Sequence, residues 1–345
     1  MIPIQNIYYM LSYAFQVLNE QGYKNIATEQ FNNTGELMAA ILEKGIAIQI
    51  KRGLGKEYIL QTEALSSLQG KIDIAESIKT QSMLRKQLIC TYDEFSVNSI
   101  MNQIIKSTVE LLLRSNISKQ RKKNLRKLMV YFSEVDFIDL YTVNWNVQYN
   151  RNNQTYRMLI SICYLVVKGL LQTQSNGHTK LMDFLDEQRM CRLYEKFILE
   201  YYRREFKNQI TANASQIPWQ LDNEENSMLP VMQSDIMLQS GEKVLIIDAK
   251  YYEHSTQVQF DKHTLHSGNL YQIFTYVKNK EYELREKDHT VSGMLLYAKT
   301  DEEIYPNNVY QMSGNQITVR TLDLNLPFDE IAGQLNTIAK THFDL

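Results

Sequence analysis

The stretch Lys243-Val-Leu-Ile-Ile-Asp-Ala-Lys-Tyr251 decides how the chain is read. As a strand it places Val244, Ile246, Asp248 and Lys250 on one face and Leu245, Ile247, Ala249 and Tyr251 on the other. A carboxylate and an ammonium side by side at the end of an otherwise apolar strand are expensive to bury. They must be compensated by each other, by a metal or by substrate phosphate. The preceding stretch, Leu229–Leu238, reads as a second strand, joined by the turn Gln239-Ser-Gly-Glu242, in which Gly241 can take positive φ. Asp235 and Asp248 lie nearly equidistant from that turn, so the hairpin brings the two carboxylates together. Like charges this close call for a divalent cation, and all-oxygen ligation favours Mg²⁺ or Mn²⁺ over zinc. A surface ion pair at a strand end, with Asp235 as a turn acid, is the plainer alternative.

Outward from the hairpin, Glu187–Phe206 has a helical stripe of Leu193, Phe197, Ile198 and Tyr201. Asn269–Lys278 repeats the pattern with Leu270, Ile273, Phe274 and Val277, and Gly293–Ala298 reads as a buried strand. The order helix, hairpin, helix, strand predicts an α/β domain with a central mixed sheet flanked by helices. Towards the N-terminus the texture is α+β. A helix is expected over 4–20, strands at Ile46–Ile50, Tyr58–Leu60 and around Gly70–Ile74, and helices over Val97–Leu113, Asn124–Phe132 and Tyr156–Leu171. The polar run Gln172–Thr179 reads as a linker, and Asn and Gln accumulate at Trp145–Asn153, so domains are expected at 1–150 and 151–345.

Composition narrows the class. The 345 residues carry 37 Lys and Arg against 39 Asp and Glu, a net charge of −2, so no general polyanion coat is present. Basic residues concentrate between Lys106 and Lys127, where eight cations meet one acid, Glu110. That run suits phosphate or an acidic partner surface, or simply a solvated helix face. Three scattered cysteines, Cys90, Cys163 and Cys191, argue against a disulfide framework. No signal-like n-region and no apolar run long enough to span a bilayer occur, so a cytoplasmic protein with no membrane contact is expected. His254, His263 and His266 follow the hairpin in a loop-like stretch, and their spacing does not fit a zinc site.

The pattern Ser234-Asp235…Asp248-Ala-Lys250 on adjacent strands resembles the PD-(D/E)xK nuclease superfamily, although no proline precedes Asp235 and the second acid is Asp. The resemblance implies phosphodiester hydrolysis. Asp235, Asp248 and the Ala249 carbonyl would hold Mg²⁺, with Mn²⁺ as a substitute, and Lys250 would position the attacking water and stabilise developing charge. By the same resemblance Glu195, in Leu193-Tyr-Glu-Lys-Phe197, is the acidic helix residue that can complete the metal shell, and Gln272 with Tyr276 forms the Gln-x-x-x-Tyr feature that lies near substrate or the catalytic lysine. An exposed ion pair for Glu195 and ordinary helix packing for Gln272 and Tyr276 are the alternatives.

A closer resemblance is carried by Ile2-Pro-Ile-Gln-Asn-Ile-Tyr-Tyr-Met-Leu-Ser-Tyr-Ala14, Leu68-Gln-Gly-Lys-Ile-Asp73, Tyr92-Asp-Glu-Phe with Asn98 and Asn102, Leu193–Phe197, and the Asp235…Lys250 core. Together these resemble the McrC family, the nuclease subunits of McrBC-type restriction systems that defend against foreign DNA. The resemblance implies a metal-dependent endodeoxyribonuclease acting on double-stranded DNA. It also implies an McrB-like AAA+ GTPase as partner, engaged and stimulated by the N-terminal region, so that GTP is used only through the partner. A near-neutral chain without a phosphate-binding Gly-rich loop agrees with such delegation. Two other readings stay open: a GTPase-stimulating scaffold with secondary nuclease activity, and a stand-alone DNA repair nuclease.

Overall fold

The computed structural model describes residues 2–19, 23, 26, 29, 31, 33–150, 153–175, 187–222, 228–252, 257–259, 262–299 and 305–345. The chain forms two compact units, Met1–Glu20 with Leu185–Leu345, and Gln21–Phe184. The first helix, α1 (Ile4–Ala14), is shorter than expected and ends in a 3₁₀ turn, Gln16–Asn19. It belongs to the C-terminal unit because Asn6 Nδ2 donates to the Leu324 and Leu326 carbonyls, each at 2.8 Å, while Tyr9 stacks on Phe328.

In the unit Gln21–Phe184, α2 (Thr34–Arg52) overturns one expectation. Ile46–Ile50 is the end of this helix and not a strand. Leu37, Met38, Ile41, Leu42, Ile46 and Gln49 are buried at helical spacing, Asn33 caps the start by accepting from Glu36 N–H, and Gly53 at φ +93° ends it. Tertiary burial here outweighs the strand preference of β-branched residues. Tyr58–Leu60 does lie in a strand, β1 (Glu57–Leu65), and β2 (Lys71–Asp73) follows before the short helix α3 (Ile74–Lys79). Both strands pair antiparallel with β3 (Leu88–Ser96), in the order β1-β3-β2.

Two helices then occur near their expected places, α4 (Ile100–Arg114) and α5 (Lys119–Met129). Of the basic run, Lys106 and Arg114 lie on α4 and the six cations from Lys119 to Lys127 on α5, started by Ser118, whose hydroxyl accepts from Arg121 N–H. The next helix, α6 (Tyr156–Ser175), falls in this unit, so the contact boundary is not at 150. Its Tyr156 hydroxyl donates to Asn102 Oδ1 at 2.8 Å and accepts from Gly55 N–H at 2.7 Å. The helix takes in residues 172–175 of the expected linker, and the rest of that linker lies outside the described residues.

In the other unit, α7 (Glu187–Glu205) leads into short strands β4 (Thr211–Asn213), β5 (Gln216–Ile217) and β6 (Met232–Gln233). The hairpin follows as β7 (Ile236–Ser240) and β8 (Lys243–Lys250). The stretch expected as one strand over 229–238 is broken at Ser234-Asp235. Ser234 N–H bonds the Ser215 carbonyl at 3.0 Å, and β6 pairs with β5 instead of β8. Where a loop was expected, β9 (Gln257–Gln259) pairs with β10 (Lys262–Thr264). Helix α8 (Ser267–Glu283) then crosses to β11 (Thr290–Ala298). Three elements beyond residue 300 complete the unit: β12 (Asn308–Met312), β13 (Asn315–Leu322) and α9 (Phe328–Phe343).

The resulting six-stranded sheet has the order β12-β13-β11-β8-β7-β4. It is mixed: β11 runs parallel to β8 and β13, while β7 and β12 run antiparallel to their neighbours. One face packs Val244, Ile246, Val291, Leu295, Ile317 and Val319 against Ile273 and Val277 of α8. Gly293 permits that approach, since a Cβ there would stand 2.8 Å from Ile273 Cγ1 and 2.9 Å from Val277 Cγ2. Among the described residues no helix is long and apolar enough to cross a membrane.

Candidate active site

Strand β8 is buried from Val244 to Ala249 because it is interior to the sheet, with β11 on one side and β7 on the other. The same burial carries Asp248 inside, at 1% exposure. Asp248 and Lys250 continue the face on which Val244 and Ile246 meet α8, so they emerge beside that helix. Lys250 Nζ donates to Asp248 Oδ1 at 2.9 Å and to Gln272 Oε1 at 3.4 Å. Gln272 in turn donates from Nε2 to the Tyr276 hydroxyl at 2.9 Å. One helical turn orders this relay, because positions 272 and 276 share a face of α8.

Asp235 comes in from the other side. The β7–β8 register pairs Ile236 with Ile247, so one step further places Asp235 opposite Asp248. Its Oδ2 accepts the backbone N–H of Ala249 at 2.9 Å. Glu195 lies on α7, where Cys191 Sγ donates to Glu195 Oε1 at 3.0 Å and stands 3.9 Å from the Ala249 carbonyl.

The electrostatics follow from burial. Desolvation pushes the Asp248 carboxyl up to about 7 against the pull of Lys250, and the charge of Asp235 adds to the push. Burial also raises Glu195, again with Asp235 as the next cause. Burial pulls the Lys250 ammonium down, but the Asp248 carboxylate more than offsets this and holds it above the ordinary lysine range. Burial and then Glu195 push the Cys191 thiol up to about 12, so it is a neutral donor. Asp235 therefore acts on both other acids, and the three carboxyls share one field.

Asp248 Oδ2 is buried yet lacks a hydrogen bond of acceptable geometry, although Lys250 Nζ is 2.9 Å away as an ion-pair partner. An oxygen held by the Lys250 ammonium alone, in a field of like charges, fits a hard cation. Among the described residues no three His, Cys, Asp or Glu side chains are gathered into a closed metal cage. The oxygens able to take part are those of Asp235, Asp248 and Glu195 and the Ala249 carbonyl.

The structure thus brings Asp235, Asp248, Ala249, Lys250 and Gln272 into direct contact, with Glu195 in the same charge field. Cys191 was not read from the sequence; its signal is the spacing of four from Glu195 on one helix face. Asn269 was also missed. It donates to the Tyr297 hydroxyl at 2.9 Å and accepts from Tyr252 at 3.3 Å, and its signal is the series 269, 272, 276 on α8. His254 lies outside the described residues, and His263 is known only as a position of β10. The His266 ring lies 5.3 Å from that of Tyr252.

The McrBC 5-methylcytosine restriction system component family matches residues 5–298 of the chain. Over 329 residues the chain is 30% identical to the type IV methyl-directed restriction enzyme EcoKMcrBC of Escherichia coli strain K12, covering 94% of this chain and 93% of that one. Among solved structures it is similar to a chain of the half-complex from the tetradecameric assembly of Thermococcus gammatolerans McrB AAA+ hexamers with bound McrC. The identity there is 18% and the TM-score 0.48, covering 97% of this chain and 76% of that one. For the Thermococcus gammatolerans McrBC complex the values are 21% and 0.41, with 59% of each chain covered.

Proposed function

The chain belongs to the McrBC 5-methylcytosine restriction system component family, and from that premise we propose that it is the DNA-cutting subunit of a GTP-dependent restriction complex, a metal-dependent endodeoxyribonuclease of PD-(D/E)xK type. One observation carries the reading: the buried Asp248 is paired with the half-buried Lys250 at the end of β8, with Asp235 opposite them. Burying an ion pair costs desolvation that the pairing seldom repays, which favours a use beyond holding the sheet.

Asp235, Asp248, Glu195 and the Ala249 carbonyl would hold Mg²⁺, or Mn²⁺ in its place, and the ion supplies Lewis-acid charge to the phosphoryl oxygens and makes bound water more acidic. The side chains do the rest. Lys250, kept charged by Asp248, offers its ammonium to the scissile phosphate and its attacking water, where negative charge develops. Gln272 receives a Lys250 proton and so limits where that ammonium can point. Asp235 fixes the backbone at Ala249 through the N–H it accepts, and Cys191 orients Glu195.

A partner of the AAA+ GTPase class, resembling McrB, accounts for recognition and motion on DNA. The unit Gln21–Phe184 offers a surface for it, since Tyr58, Leu60 and Phe95 are 75%, 68% and 54% exposed on one small sheet. The test is cleavage of long double-stranded DNA, methylated and unmethylated, with Mg²⁺, the partner GTPase and GTP. Cutting by the parent protein and none by Asp248→Asn is the expected result. Equal cutting by both would overturn the site, and cutting without partner or GTP would overturn the division of labour.

A further inference from the structure

The cations of α5 divide into two sets. Arg121 faces inward, with Nη1 2.9 Å from Glu43 and Nε 3.5 Å from Glu36, and it also bonds Glu29. Asn124 donates to Glu43 at 2.9 Å on the same side, and Leu125 is fully buried. The other set is Lys119, Lys122, Lys123, Arg126 and Lys127, spaced i, i+3, i+4, i+7 and i+8, which is one continuous outer stripe. None of the five has a hydrogen bond or an ion pair among the described residues, and all but the half-exposed Lys122 are exposed.

This stripe works against its own helix. Like charges three and four residues apart repel, and Lys119 in a first turn without an acid opposes the helix dipole, which only Arg126 and Lys127 in the last turn suit. Local rules are broken in this way where a surface serves something outside the chain. The eight steps from Lys119 to Lys127 span about 12 Å at about 1.5 Å per residue. Duplex DNA presents about seven phosphates over that length of axis, at one charge per about 1.7 Å. A protein partner fits less well, because protein interfaces are depleted in lysine and need an apolar centre, whereas the stripe is four lysines and an arginine.

The geometry points to the outer face of α5 as a second DNA-binding surface, sequence-independent and directed at backbone phosphates, in the unit that does not contain the nuclease residues. The inference rests on DNA being the substrate, but not on which residues cut it. It adds a holding contact to a chain whose net charge of −2 provides no general attraction.

The test uses the full-length protein in EDTA and a labelled duplex of about 30 base pairs, roughly three helical turns, in two unrelated sequences. Binding is followed by fluorescence anisotropy from about 50 to about 200 mM salt. The variant replaces Lys122, Lys123, Arg126 and Lys127 by Gln. The slope of log affinity against log salt is expected to fall by about 3 to 4, at about 0.9 per phosphate contact, with equal loss on both sequences. A variant that replaces the three lysines with Arg keeps the charge and is expected to bind like the parent. An unchanged slope in the Gln variant, with an unchanged circular dichroism spectrum, overturns the proposal. Loss of partner GTPase stimulation alone, with DNA binding intact, also overturns it and makes the stripe a protein contact. Asp248→Asn separates the two readings: if that variant still cuts, the nuclease assignment fails while the stripe's slope remains a valid result.

Discussion

Asp248 and Lys250 form an ion pair of 2.9 Å in which the carboxylate is at 1% exposure and one of its oxygens lacks a properly formed hydrogen bond. Buried ion pairs seldom repay their desolvation, so an apolar pair would hold the sheet as well, and the proposed nuclease role gives the pair a use that stability does not.

The first consequence is a divergence between activity and folding. Asp248→Asn keeps the shape and removes the charge that holds Lys250, so cleavage should fall by at least about 100-fold while the thermal midpoint in mild acid, where Asp248 is protonated, changes little. Lys250→Met leaves Asp248 buried without its cation, a situation that costs about 3–5 kcal/mol when the charge persists. Protonation of Asp248 relieves that cost in acid, so the Lys250→Met midpoint should fall further below the parent at high pH than at low pH. A pH-independent midpoint difference would contradict the assignment.

The second concerns pH in the parent protein. Asp248 titrates at about 7 when folded, chiefly through burial, and near the ordinary 3.8 when unfolded. A raised carboxyl contributes stability below its unfolded value, and that contribution is lost as pH rises through the folded value. In EDTA the protein should therefore lose stability between about pH 4 and 7, a loss that is absent in Asp248→Asn. A bound divalent ion favours the ionised form, so the midpoint increase caused by Mg²⁺ should be larger at pH 8 than at pH 6. Thermal melts at both pH values, with and without the ion, check the sign.

How far these residues were legible depends on the kind of signal each one left. Asp235 and Asp248 were readable as neighbours because a hairpin converts sequence distance from the turn into spatial pairing, and Gly241 adopts the positive φ, +57°, that such a turn needs. The strand period placed Lys250 on the face of Asp248 and the helix period placed Gln272 on the face of Tyr276, but only the superfamily resemblance put Gln272 beside the lysine. The segment Ile46–Ile50 was misread, because alternating β-branched residues describe a strand as well as a helix end until Ile46 is known to be buried in a helical core. The strands β12 and β13, beyond residue 300, were not recognised, although Ile317-Thr-Val-Arg320 alternates apolar and polar side chains. Cys191 was invisible for a different reason, since nothing local tells a thiol that it will face Glu195 and the Ala249 carbonyl.

Gly293 supplies a third prediction. A methyl group there would stand 2.8–2.9 Å from Ile273, Ile317 and Val277, in the layer between the sheet and α8. Gly293→Ala should destabilise by about 1–3 kcal/mol, the usual cost of overpacking. Displacing α8 also lengthens the Lys250–Gln272 contact, already 3.4 Å, so cleavage should fall more steeply than the remaining folded fraction. Activity per folded molecule, measured well below the melting transition, separates the two effects.

The last prediction concerns the partner. In β1 the large apolar side chains Tyr58 and Leu60 are exposed beside the polar Thr62 and Glu63, and across the strand pair Tyr58 meets Phe95 with ring centroids 5.0 Å apart, under Lys56. A strand that turns its large apolar side chains to solvent loses their burial energy, which is sensible only where another surface covers them. Replacing Tyr58 and Leu60 by Ser removes that apolar area with little cost to the isolated fold, because neither side chain is buried. Stimulation of the partner GTPase should then require about 30-fold more of the variant, the effect of losing an anchor of about 2 kcal/mol. The Mg²⁺-dependent midpoint shift should stay as in the parent, because the carboxylates belong to the other unit. Undiminished stimulation by the double variant would place the partner contact elsewhere on the chain.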